Sequence, residues 1–299
     1  MEEQRIPTAI EAMRRQEENF YAVRGDYMYQ RGESDTKIDV DYRNRESMVE
    51  WSYKVIDFLG FQKETVEIAM NYFDRFLLTP NGSEALSDCK KFQLANMACL
   101  YLSIKIHEDV VLDSKFMANL SNNLFTYYQV EAMELHILGS LGWWVNPPSS
   151  FAFLREYLQL LPATVTNEMK EKAFAICDPQ LQASVIDYNF VNARASTVAL
   201  FALMNALKVL GMDAVLLSHI GSLLSYASRM DHHFESSVYK DLKQSLYESL
   251  ILDIPGLPDA GETEITSTGI TCGASMSLSA QRARATDRTA TKSPCGVFS

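Results

Sequence analysis

Several patterns that would place this chain in a common functional class are absent from its 299 residues. Its five cysteines are odd in number and widely spaced, and none forms a C-x-x-C pair. A disulfide framework and a zinc site are therefore both disfavoured, and a reducing compartment is expected. No run approaches the roughly 18 apolar residues of a membrane span, and charges throughout the first twenty residues exclude a secretory signal.

Recognisable catalytic and cofactor motifs are also missing. The sequence has no phosphate-binding G-x-x-x-x-G-K-[ST] loop, no G-x-G-x-x-G and no H-E-x-x-H zinc helix. Adjacent His232 and His233 diverge on a helix, and His107 with His136 would lack a third ligand. These absences predict a protein that is not an enzyme and needs no metal or cofactor.

The charge balance bears on the choice of partner. The formal net charge is −11 and the isoelectric point is about 5.0. Affinity for nucleic acid depends largely on neutralising phosphates, and no cluster of Lys and Arg is present to do so. We expect neither nucleic acid nor a membrane as partner.

What the sequence does contain is helical periodicity. Apolar residues recur with a period of 3.6, whereas alternating strand patterns are nearly absent, so the predicted fold class is all-α. Five helices are predicted before "NPPSS" at 146–150 and five after it, with Ser149 or Ser150 as the cap of the next helix. Pro179 falls inside one of the later helices, which we expect to be split or to begin late. The predicted ranges are a leading helix at 4–22, then helices at 45–59, 64–78, 88–107, 113–121, 126–141, 150–161, 165–188, 194–210, 212–227 and 234–251.

This pattern divides the chain into four parts. Residues 1–42 form an N-terminal helix and linker, 43–145 and 146–255 form two five-helix domains, and 256–299 form a tail. The tail is rich in Ser, Thr, Gly and Ala and has one aromatic residue, so it is predicted to be disordered. Within it, Ser293-Pro294 is a minimal site for proline-directed phosphorylation, a dipeptide that is also common by chance.

Four charged residues occupy unexpected positions on the apolar stripes of predicted helices. They are Lys105 in "FQLANMACLYLSIKIHE", Glu134, Asp74 and Arg45. Each alone could lie at a stripe's margin with its charge in water. As two pairs of opposite sign, Arg45 with Asp74 and Lys105 with Glu134, they indicate a structural or binding role, because an unpaired buried charge costs several kcal/mol.

The first-half segments together resemble the cyclin box. The segments are "RESMVEWSYKVIDFLGFQKETVEIAMNYFDRFLL", "FQLANMACLYLSIKIHE" and "MELHILGSLGWWVNPPSSFAFL", whose order and spacing match the family over about 45–155. "AMNYFDRFLLTP" and "IEAMRRQEENFY" are most similar to D-type cyclins, and the second half resembles the family's C-terminal box more weakly. The resemblance implies two tandem cyclin-box domains and a regulatory subunit that activates a cyclin-dependent Ser/Thr kinase, in control of the G1/S part of the cell cycle.

The resemblance also implies roles for individual residues. Lys105 and Glu134 would make polar contacts to the kinase backbone, while Leu102, Ile106 and Leu138 would pack against the kinase's mobile helix. Arg45 and Asp74 match the family's internal salt bridge between its first two helices. Kinase substrates and inhibitors are further partners of the family, and its members reside in the nucleus, the cytoplasm or both.

One departure from the family concerns its substrate-docking patch. Where the family has Met and an aliphatic residue, this chain has Asn44 and Ser47, although Trp51 and Gln93 remain. We expect such a degenerate patch to bind Arg-x-Leu substrates weakly or not at all.

Other functional classes stay open at this point. A cyclin-fold transcription factor would share the doubled helical plan, but it would need a basic face for DNA. A transcriptional or metabolic cyclin would differ only in its kinase and its substrates. A small-molecule helical enzyme lacks any visible catalytic constellation.

Overall fold

The computed structural model describes residues 8–28, 40–122, 124–227 and 237–253. Within these ranges every regular element is helical, which confirms the predicted all-α class. The predicted tail, Ser293 and the start of the leading helix lie outside the described residues. No helix in the described part is long and apolar enough to cross a membrane.

The helices follow one another along the chain with short connections. The leading helix passes directly into a π-helical turn, Glu17–Tyr21, and short 3₁₀ turns lie at Ser83–Ser87 and Tyr188–Phe190. The observed bounds are α1 Thr8–Gln16, α2 Tyr42–Leu59, α3 Glu64–Leu77, α4 Cys89–His107, α5 Ser114–Leu120, α6 Tyr127–Ser140, α7 Ser150–Leu160, α8 Asn167–Ile186, α9 Ala195–Val209, α10 Ala214–Ala227 and α11 Ser237–Asp253.

Local sequence signals explain where several helices begin. Asp41 and Asn44 form a capping box at the start of α2, and Thr126 and Gln129 form another at the start of α6. In each box the first side chain accepts a backbone N–H that the helix itself cannot satisfy. Ser149 caps α7 in the same way by accepting from the Ala152 N–H, as the sequence predicted.

Two hydrophobic cores divide the molecule. The first surrounds α4, whose Ala95, Met97 and Leu100 are fully buried, and it gathers α2, α3, α5 and α6. The second surrounds α9, which contacts α7, α8, α10 and α11. The limits proposed for the two domains stay a prediction.

Two segments cross between these cores. Ile10 of α1 is fully buried in the second core, so the leading helix packs on the later helices. Val185, near the end of α8, and Val191 belong to the first core. Tyr27, which follows the leading helix, also belongs to the first core, so the leading segment and the end of α8 both connect the two halves.

The expectation for Pro179 was wrong. The helix α8 runs through it without a break from Asn167 to Ile186. The next residue, Gln180, is fully buried, and its Nε2 donates to the carbonyls of Ile176 and Ala202 at 3.1 and 3.3 Å. Packing against α9 thus holds the helix together where proline removes one backbone donor.

Candidate partner-binding surface

Lys105 and Glu134 meet on adjoining helices. Lys105 lies in the last turn of α4 and Glu134 in the middle of α6, and their Nζ and Oε1 atoms are 2.6 Å apart. The Lys105 side chain is 40% exposed and that of Glu134 is 11% exposed. The ammonium also lies 5.0 Å from the ring centre of Tyr101, within cation–π range. The pair is therefore held in place by this chain, yet solvent still reaches it.

Packing of α4 against α6 sets this geometry. The α4 face that meets α6 is apolar, and Val130 and Ile137 of α6 are fully buried against it. Lys105 lies in the last turn of α4, at the edge of the contact between α4 and α6. Its charge consequently reaches the surface instead of the core.

The three apolar residues predicted to accompany this pair differ in their exposure to solvent. Ile106 is 43% exposed, whereas Leu102 is 3% exposed and Leu138 is 8% exposed. Leu102 and Leu138 belong to this chain's own first core. They support the surface from beneath, and Ile106 alone of the three offers substantial area to a partner.

Sequence reasoning missed a prominent residue at the end of α6, the helix that carries Glu134. Trp143 is 66% exposed and has a φ of 64°, in the left-handed region that a bulky residue rarely adopts. Its N–H donates to the carbonyl of Leu138 at 3.0 Å, which places it at the end of α6. Strained backbone that presents a large aromatic ring to solvent is typical of a functional surface. The run Gly142-Trp143-Trp144, directly after a helix, is the signal that could have revealed it.

The adjacent Trp144 ties the leading segment to this region. Its ring stacks on Phe20 with centres 4.2 Å apart, and Tyr21 meets it edge-on. The Arg75 guanidinium donates to the Trp144 carbonyl at 2.9 Å and lies over the ring of Tyr21. The end of the N-terminal helical segment therefore packs beside the residues that follow α6.

Arg45 and Asp74 form the second predicted pair, in a sealed setting. The guanidinium of Arg45 on α2 makes two parallel hydrogen bonds to Asp74 on α3, at 2.9 and 2.8 Å. Tyr27 donates its hydroxyl to the same carboxylate at 2.6 Å, and Arg45 also donates to the carbonyls of Val185 and Ile186. Arg45 is 2% exposed and Asp74 is 4% exposed. The pair therefore links the first two helices of the first core to the end of α8.

Electrostatics at this buried pair favour its charged form. Burial lowers the pKa of Arg45, but the negative charge of Asp74 and its hydrogen bonds with Arg45 raise it by more, so the net shift is upward. Burial and the neighbouring carboxylate raise the pKa of Tyr27 well above its ordinary value. Arg45 stays a cation and Tyr27 stays a neutral donor at every physiological pH.

The degenerate docking patch has little apolar surface to offer. Trp51 is fully buried, and Ser47 is exposed but polar. The Asn44 side chain accepts the Asp41 N–H at 2.8 Å within the capping box of α2, and Gln93 is half-buried. Asn44 thus has a local structural role that explains a polar residue at this position.

The described residues show no group of three His, Cys, Asp or Glu side chains placed to hold a metal ion. The Lys105–Glu134 region presents a cation, a carboxylate and the exposed Ile106, and Trp143 adds an exposed aromatic ring at the end of α6. Such a mixture is suited to binding the backbone and the apolar side chains of another protein.

Comparison with known proteins agrees with the sequence resemblance. The family profile described as "Cyclin, N-terminal domain" matches residues 8–146. "G1/S-specific cyclin-E" of Caenorhabditis elegans is 32% identical over 123 residues, 41% of this chain and 23% of that protein. "Cyclin-D3-3" of Arabidopsis thaliana is 27% identical over 191 residues, 62% of this chain and 51% of that protein. The matched part thus spans about half or less of these relatives.

One solved structure shares the fold over most of the chain. It is the crystal structure of a viral cyclin from herpesvirus saimiri, with a TM-score of 0.61 and 15% identity. The similarity covers 82% of this chain and all of that one. Similar relatives include cyclins of the E, D, G and mitotic types, so the resemblance to D-type cyclins in particular is weakly supported.

Proposed function

Because this chain is a cyclin-box protein, a member of the cyclin family, we propose that it is the regulatory subunit that activates a cyclin-dependent Ser/Thr kinase. The observation that carries this proposal is the Lys105–Glu134 pair, 2.6 Å apart and open to solvent on one side. Cell-cycle control at G1/S is the corresponding role, and the nucleus, the cytoplasm or both are the expected location. The chain itself would contribute no catalytic group.

The physical basis of activation is the positioning of one kinase helix. A protein kinase needs the ion pair between its β3 Lys and its αC Glu before phosphoryl transfer can proceed. A rigid surface that binds better to the active position of αC shifts that two-state element toward activity. Lys105 and Glu134 would bind backbone groups of the kinase, and Ile106 and Trp143 would bury apolar area against it.

The test is kinase capture by the full chain and by Lys105→Ala/Glu134→Ala. We expect the double substitution to weaken kinase binding by about thirtyfold or more, since removing charged hydrogen-bonding groups from an interface costs about 2–5 kcal/mol. Lys172→Ala/Glu168→Ala is the matched control, because that pair also lies 2.7 Å apart but on the exposed face of α8. Unchanged capture by the first variant, with thermal unfolding as in the parent, would refute the proposed surface.

Substrate recruitment through the degenerate patch is proposed to be impaired. Trp51 is buried, and Asn44 and Ser47 supply no apolar wall for an Arg-x-Leu peptide. Fluorescence anisotropy with a labelled Arg-x-Leu peptide should give a dissociation constant well above the micromolar range. Nanomolar binding would contradict this, and it would leave the kinase surface unaffected.

A further inference from the structure

A polar cavity lies where the leading segment, the first core and the second core meet. Its volume is about 740 Å³, and charged side chains of all three parts line it. Polar groups as well as apolar packing therefore form the boundary between the two helical halves, which we call the seam. Two carboxylates, the buried one of Glu17 and the partly buried one of Glu67, make specific contacts across it.

Glu67 of α3 holds the start of α7. Its Oε1 accepts the Ser150 N–H at 2.6 Å, and its Oε2 accepts the Ser150 hydroxyl at 2.9 Å. Ser150 is the first residue of α7, so its N–H has no partner within the helix. One turn earlier on α3, Glu64 accepts from the hydroxyl of Ser149 and forms an ion pair with Arg155. The region after Pro147-Pro148 is thus attached to the first core through acidic side chains.

Glu17 holds the start of α9 by the same chemistry. Its Oε1 accepts the Ser196 N–H at 2.9 Å, and its Oε2 accepts the Ser196 hydroxyl at 2.7 Å. The residue in the N-cap position of α9, Arg194, makes no side-chain cap. A carboxylate 179 positions away in the sequence supplies it instead, at the end of the helix where the dipole favours negative charge.

We propose that Glu17 and Glu67 form a proton-sensitive clasp, defined as these two carboxyls with Ser196 and Ser150, that fixes the second helical half against the first half and the leading helix. This inference is independent of the proposed kinase partner. It follows from one arrangement that occurs twice: a carboxyl, buried at Glu17 and partly buried at Glu67, receives the N–H and the hydroxyl of a serine at the beginning of a helix.

Other charged groups surround both carboxyls. Glu64 on the same helix and Tyr53 on α2 interact electrostatically with Glu67, and Arg14, Arg24 and Arg45 line the same cavity. Glu17 is faced by Arg194 and Glu18, which are themselves paired at 3.1 Å, with Glu67 and Asp74 across the cavity. Arg45 is engaged by Asp74, so it does not neutralise Glu67.

The balance of these effects gives the clasp a proton dependence. Burial raises the pKa of Glu67 to about 7, although its hydrogen bonds from Ser150 act in the opposite direction. Burial likewise raises the pKa of Glu17. A carboxyl with a raised pKa binds its proton more tightly when the clasp is closed than when it is open. The protonated carboxyl therefore favours closing most strongly below the ordinary pKa of about 4.3, and this contribution declines as the pH rises and is lost once the pH passes about 7.

The experiment is hydrogen–deuterium exchange of the full chain between pH 5 and 8, corrected for the intrinsic exchange rate. We expect protection at the start of α7 to fall by about tenfold or more across this range. Glu67→Gln, a neutral mimic of the protonated side chain, should remove most of that dependence. Glu171→Gln, the same change on the exposed face of α8, should leave it intact.

Two results would overturn the clasp. One is protection that does not vary with pH in the parent chain, and the other is the same pH dependence in Glu67→Gln as in the parent. If Glu67→Gln does not fold, the ¹³C shift of the Glu67 carboxyl in the parent decides. A titration midpoint near 7 supports the clasp, and one near the ordinary 4.3 or so of glutamate refutes it.

Discussion

Two ion pairs in the first helical half have the same chemistry and opposite surroundings. Arg45–Asp74 joins α2 to α3 and Lys105–Glu134 joins α4 to α6, each through contacts below 3 Å. The first is almost fully buried and receives one additional hydrogen bond from Tyr27. In the second, the cation is 40% exposed and has one carboxylate partner in the described structure.

Burial therefore distinguishes a structural pair from a pair available for binding, although both interrupt an apolar stripe in the sequence in the same way. A sealed pair stabilises the fold only as a complete unit, because either partner alone is a desolvated charge. An open pair contributes little to stability, yet its remaining hydrogen-bonding capacity is available to a partner. The fold depends on the former, and binding is expected to depend on the latter.

The strongest way to test this difference is to neutralise one side of the sealed pair. Asp74→Asn leaves the Arg45 charge buried without its counterion, and we expect it to lower the free energy of unfolding by about 3–5 kcal/mol. Urea denaturation of the full chain measures it. Glu84→Gln, which removes the partner of exposed Lys91, is the control and should change little. A loss below about 1 kcal/mol for Asp74→Asn would show that burial does not distinguish the two regions.

The helices that carry these pairs offer a sharper comparison, because α2 and α6 both begin with a capping box. Asp41→Ala and Thr126→Ala should each cost about 0.5–2 kcal/mol of unfolding free energy, since each removes the acceptor for a backbone N–H. If both substitutions lower the unfolding free energy equally in parallel denaturation experiments, the helix starts are equivalent. Any difference in stability between the two regions would then come from the ion pairs. A much larger loss at one cap would show that the two helices differ in more than their charges.

The smallest expected effect comes from the open pair. Lys105→Ala should change the free energy of unfolding by less than about 1 kcal/mol, because solvent screens the ammonium. The same denaturation assay measures it, with Lys172→Ala on α8 as control. If Lys105→Ala is as damaging as Asp74→Asn, the pair is structural and its surface role fails.

Local sequence signals predicted most of the fold. The ten helices of the two halves lie within a few residues of their predicted bounds, because apolar periodicity and caps such as Ser149 are short-range features. Pro179 was misjudged since its local penalty is outweighed by the packing and hydrogen bonds of Gln180, which depend on a helix far along the chain.

The candidate site was only partly predictable for a related reason. Lys105 and Glu134 stood out because charge interrupted an apolar stripe, and the structure brings their side chains together. The contacts of Glu67 with Ser150 and of Glu17 with Ser196 span 83 and 179 positions, and no pattern in the sequence relates those residues. The burial of Trp51 and of Leu102 likewise depends on how neighbouring helices pack.

The contrasting environments of the tryptophans give the protein a built-in optical probe. The chain has three, of which Trp51 is fully buried while Trp143 and Trp144 are exposed just after α6, the helix that contributes Glu134 to the Lys105–Glu134 surface. Emission from Trp143 should lie at long wavelength and be quenched readily by iodide, whereas Trp51 should emit further to the blue and resist the quencher. An occupant of that surface would shield the accessible indoles, so its arrival could be followed in solution without attaching any dye.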